Sequence, residues 1–123
     1  MWSESPRLDT GGKAERRHLA MIQDDIRTLL DSPPIGEDAP SLDAIEDTLT
    51  AGYARALALE AEQWRLERRI AEVATMLAES GEDGHTELVD LGRRLSAADG
   101  ALTRLRRLLS SLRSRADEVR ASD

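Results

Sequence analysis

LDAIEDTLTAGYARALALEAEQWRLERRIAEVATMLAES, residues 42 to 80, and HTELVDLGRRLSAADGALTRLRRLLSSLRSRADEV, residues 85 to 119, decide the fold between them. In the first stretch Leu42, Ile45, Leu49, Gly52, Ala56, Leu59, Gln63, Leu66, Ile70, Val73 and Leu77 alternate steps of three and four without a slip. In the second, Leu88, Leu91, Leu95, Ala98, Leu102, Leu105, Leu109, Leu112, Ala116 and Val119 do the same. This is the seam of a left-handed coiled coil. The break between them, Ser80-Gly81-Glu82-Asp83-Gly84, is too short to do anything but reverse the chain. The expected fold is therefore all-α, a long antiparallel helical hairpin spanning residues 42 to 120.

Matching the ladders rung for rung, Ile45 against Val119 and Leu77 against Leu88, brings Glu60 to Arg106 and Glu46 to Arg120. The same register sets Glu67 by Asp99 and Arg69 by Arg94, two like-charge pairs that oppose it. Volumes agree with the pairing. Gly52 and Ala56 lie opposite Leu109 and Leu112, and Ala98 lies opposite Leu66. Gln63 interrupts the apolar ladder, and a polar seam residue of this kind costs stability and either fixes register, the role favoured here, or binds a partner.

Ahead of the hairpin, Leu19, Ile22, Ile26 and Leu29 form a shorter stripe, which predicts a short amphipathic helix over residues 13 to 31. Pro33 and Pro34 forbid its continuation. Residues 32 to 41 then read as a linker, with Ser41 as N-cap of the first arm and Asp43 favourably placed for its dipole. Residues 1 to 12 carry no periodic pattern and are expected to be disordered.

Composition excludes several functions. Cysteine and phenylalanine are absent, a third of the chain is charged, and Trp2, Tyr53 and Trp64 are its only aromatics. That balance suits a coiled coil and not a catalyst with a deep pocket, so no catalytic residues and no enzymatic activity are expected. His18 and His85 have no second ligand at metal spacing, and no metal site is assigned. No apolar run approaches the roughly 20 residues of a membrane span, and residues 1 to 10 lack a secretion signal, so a cytoplasmic protein without membrane association is expected. A secreted hairpin of the WXG type would carry W-x-G in its turn, which this turn lacks. The net charge is -7, although residues 85 to 123 hold eight arginines against six acids, +2, which leaves -9 for residues 1 to 84. Acids interleave with the late arginines, so direct DNA binding is not expected.

Two features point to a binding role. Tyr53, Leu57 and Trp64 lie off the seam on one flank of the first arm, with Arg106 and Arg113 of the second arm beside them. Either the N-terminal helix docks on this flank and completes a three-helix bundle, or a protein partner does; exposed aromatics and arginines rimmed by charge commonly mark such interfaces. The second feature is Asp99-x3-Thr103-x2-Arg106-x3-Ser110-x3-Ser114, which includes the run Leu102-Thr103-Arg104-Leu105-Arg106-Arg107-Leu108-Leu109.

These residues resemble the RsiG-type anti-sigma factors of actinobacteria, helical hairpins that carry E-x3-S-x2-R-x3-Q-x3-D within a stretch reading L-S-x-L-R-R-L-L. The resemblance covers roughly 25 residues of the last helix. It implies cyclic di-GMP binding by Asp99, Thr103, Arg106 and Ser110, and retention of a sigma factor by the hairpin. Arg106 matches the pattern outright, while Asp99 and Thr103 replace its acid and serine conservatively. Ser110 and Ser114 stand where the pattern has Gln and Asp, and Ser114 cannot offer the carboxylate that guanine N1 and N2 donors require. No second copy of the pattern occurs in the first arm. The expectation is a chain without cofactor, with weak cyclic di-GMP binding at most. Two functions follow: a regulatory hairpin that sequesters a transcription factor such as a sigma factor, or a structural coiled-coil module that forms homo-oligomers or scaffolds without a ligand.

Overall fold

A computed structural model describes residues 4 to 80 and 84 to 122, with side chains from Gly12 onward. Its elements are α1 (Glu4–Asp31), α2 (Leu42–Ser80) and α3 (His85–Ser122), and no strand occurs among the described residues. The all-α fold expected from the ladders is the one observed. Every ladder position of both arms is buried or half-buried, Gln63 included.

α1 departs from expectation at its start. Residues 4 to 12, expected to be disordered, are helical, so the element is 28 residues long and not the short helix of residues 13 to 31. Residues 1 to 3 of that segment lie outside the described residues, as do Gly81, Glu82 and Asp83 of the expected turn. The end of α1 falls where the prolines require it. The Ser32 amide donates to Leu29 O at 3.3 Å and its Oγ to Thr28 O at 2.8 Å, closing the last turn before Pro33.

α2 begins on the expected cap: Ser41 Oγ accepts the Ala44 amide at 3.1 Å, and Asp43 occupies the first turn. Gly84 immediately precedes α3, and its carbonyl accepts the Leu88 amide at 2.9 Å. A Cβ on Gly84 would sit 3.0 Å from Leu77 Cγ and Cδ2 and 3.2 Å from Val73 Cγ1, so a side chain there would crowd the end of α2.

The chain divides into two compact units. One is Ala54–Arg106, a pair of helices. Leu66, Val73 and Leu91 are its buried cluster, with Ile70, Leu88 and Leu95 packed against them. Polar links between its helices are antiparallel: Glu60 with Arg106, Gln63 with Asp99, and Arg69 with Glu87 at 2.9 Å.

The other unit holds residues up to Tyr53 together with those from Arg107 onward, and contains three helical segments. Ile22 and Ile26 of α1, Ile45 and Leu49 of α2, and Leu109, Leu112 and Ala116 of α3 are buried. The buried leucines and isoleucines among them each contribute about 1.5–3 kcal/mol. Glu46 of α2 pairs with Arg120 of α3, again antiparallel. α2 and α3 approach closely at Gly52, where a Cβ would lie 2.4 Å from Leu109 Cδ2.

Candidate protein-interaction face

In the two-helix unit, Leu57 and Trp64 sit seven residues apart on the outward side of α2 and are 67% and 66% exposed. Two helical turns separate them, so they share one face. Glu60 lies between them, and its carboxylate accepts from Arg106 Nη2 of α3. The pair pins the arginine beside the apolar side chains and leaves the rest of its fork facing solvent. This is one of the two opposite-charge pairs predicted from the register; the other, Glu46 with Arg120, forms in the three-helix unit.

The two expected like-charge encounters are resolved by other partners. Asp99 accepts from Nε2 of Gln63 instead of confronting Glu67. Arg69 reaches Glu87 rather than Arg94, and this hydrogen bond raises its already high pKa. Gln63 therefore has a defined partner across the helix pair, as a register-setting amide in a seam requires.

The residues of the cyclic di-GMP pattern are divided. Asp99, Thr103 and Arg106 belong to the two-helix unit and Ser110 to the three-helix unit. Within the first group, the Asp99 carboxylate holds Gln63 and the Arg106 guanidinium holds Glu60. A guanine edge would have to compete with both contacts.

Tyr53 and Arg113 belong to the three-helix unit, where Tyr53 is 41% exposed and Arg113 is also exposed. The three-helix packing, one of the two alternatives, is observed in this unit, with Tyr53 left exposed by it. The end of α1 is held by a residue that the sequence did not single out. Arg115, whose side chain is 19% exposed, donates from Nη2 to Leu30 O at 3.1 Å and from Nη1 to Ser32 O at 3.1 Å and Leu29 O at 3.5 Å. Arg113 follows Leu112 by one residue and Arg115 by three, so the two project on opposite sides of the seam.

Arg115 thus clasps the carbonyl end of α1 on the flank away from Tyr53. α1 has no basic residue in its last turn and carries Asp31 at the negative end of its dipole. That deficit was visible in the sequence, but nothing in it chose Arg115 among eight arginines after residue 84.

Among the described residues no helix is long and apolar enough to cross a membrane, and no group of three His, Asp or Glu is placed to hold a metal ion. Compared with known protein families, curated proteins and solved structures, the chain matches none.

Proposed function

We propose that the chain is a regulatory helical hairpin that binds a protein partner through Leu57, Trp64 and Arg106. It works without catalysis or a cofactor, in the cytoplasm, and its partner is a transcription factor of the sigma type, in the manner of the family its last helix resembles. The observation that carries the reading is the exposure of Leu57 and Trp64 beside an arginine pinned by Glu60, on a helix whose seam is already satisfied. Large aromatic and arginine side chains of this kind dominate binding where a partner excludes water from them.

The test is co-purification of a sigma factor with the wild-type chain from its source, followed by calorimetry of the complex. Trp64→Ala should weaken binding by about 2 kcal/mol or more, the size of a typical hot spot. The melting temperature should change little, since Trp64 lies outside the seam. A Trp64→Ala chain that binds its partner normally removes this surface. Cyclic di-GMP should bind weakly or not at all; tight binding abolished by Arg106→Ala would instead establish nucleotide control. The second reading, a structural module that forms homo-oligomers, draws on the same exposed face.

A further inference from the structure

Ala54, Leu57, Ala61 and Trp64 recur at steps of three, four and three along α2, and all four are exposed. They lie within one arc of the helix and form a second apolar ladder, outside the seam, about 15 Å long at 1.5 Å per residue. Its members alternate small and large. Glu60, held by Arg106, borders it between Leu57 and Trp64, and Arg68 follows one turn after Trp64.

The order of sizes has a specific symmetry. If a second copy of α2 lies antiparallel across this face, with its axis of symmetry level with Leu59, then Leu57 meets Ala61 of the second copy and Trp64 meets Ala54. By the twofold, Ala61 receives Leu57 and Ala54 receives Trp64. Each large side chain enters the gap left by an alanine, which is the self-complementarity an isologous interface demands. A parallel arrangement in register would instead set Trp64 on Trp64 and leave the alanines facing a void.

We propose that this ladder is where a second copy of the chain docks, antiparallel and about a twofold axis level with Leu59. The proposal rests on the reading of Leu57 and Trp64 as a recognition surface and adds that self-association covers that surface, so a partner and a second copy compete for it. Four residues per copy present far less area than the roughly 800 Å² per partner of a standard stable interface. The dimer is therefore reversible and concentration-dependent, as a competing storage form requires.

The experiment is sedimentation velocity over a concentration series on the full chain and three variants: Leu57→Ala, Ala61→Leu, and the double variant. The wild type should show a reversible monomer–dimer equilibrium. Leu57→Ala leaves a hole opposite Ala61, and Ala61→Leu sets leucine against leucine; each should weaken the dimer by about tenfold, on the scale of neighbouring-site coupling. The double variant exchanges knob and hole and should restore association toward the wild-type value. Circular dichroism of each variant controls for folding, which these exposed positions should leave intact.

A wild type that stays monomeric throughout, or a double variant no better than the worse single, overturns the proposal. If self-association fails but Trp64→Ala still abolishes sigma-factor binding, the recognition surface stands and the second copy is wrong as its occupant. If the exchange restores the dimer while Trp64→Ala leaves sigma-factor binding intact, the face belongs to self-association and the heterologous reading is wrong.

Discussion

The two units of this molecule treat the same kind of helix differently. In the three-helix unit, α1 lays Ile22 and Ile26 into the core and Arg115 fastens its end. In the two-helix unit only the seam is buried, and α2 shows Leu57 and Trp64 to solvent. A two-helix seam buries one narrow stripe of each helix, so any further apolar residue stays exposed unless a third element covers it. The first unit has its third element within the chain. The second carries exposed apolar residues outside its seam, and the proposed binding face lies there.

The sharpest way to break this contrast is to unseat α1. Ile26 is fully buried, and Ile26→Ala should cost about 2–5 kcal/mol, the range for large-to-small changes in a core. Hydrogen exchange should show α1 losing protection first, while amides around Leu91 and Leu102 keep theirs. Uniform loss would mean that the two units open together.

A smaller effect is expected at the clasp. Arg115→Ala removes hydrogen bonds from a charged donor to three carbonyls, worth about 1.5–3 kcal/mol. The last turn of α1 should fray, as seen in exchange at Leu29 and Leu30. Arg115→Lys should recover only part of the loss, because a point charge lacks the planar fork that spans these acceptors. Full recovery by lysine would reduce the clasp to a dipole effect.

The smallest effect belongs to the two-helix unit. Gln63→Leu exchanges a half-buried amide for an apolar side chain and frees Asp99, which is exposed and returns to water without penalty. The melting temperature should rise by the equivalent of about 1 kcal/mol, with additional oligomers appearing by native mass spectrometry, as happens when a polar seam residue is lost. A lower melting temperature with unchanged oligomeric state would mean that the Gln63–Asp99 contact stabilises the pair outright.

The two ladders were enough to give α2, α3, their seam and their antiparallel pairing, while the first turns of α1, which carry no such ladder, were not legible. Hydrophobic spacing in a coiled coil is a local code, and both ladders obey it from Leu42 to Val119. The sequence also placed the proline stop, the Ser41 cap and the Glu60–Arg106 and Glu46–Arg120 pairs, because rung-for-rung matching is enough to find them. The side on which α1 packs was legible only in the folded molecule. Both flanks of the hairpin offer apolar or chargeable side chains, and the end of α1 is fastened by Arg115 reaching carbonyls more than eighty residues away in the chain, a contact that no periodicity encodes. The tertiary structure also decided the partners of Asp99 and Arg69, since long side chains relax to the nearest complementary group within a turn of the ideal register. Leu57 and Trp64 are exposed because the two-helix unit buries only its seam, and an apolar residue outside a seam is core or interface according to what is laid over it.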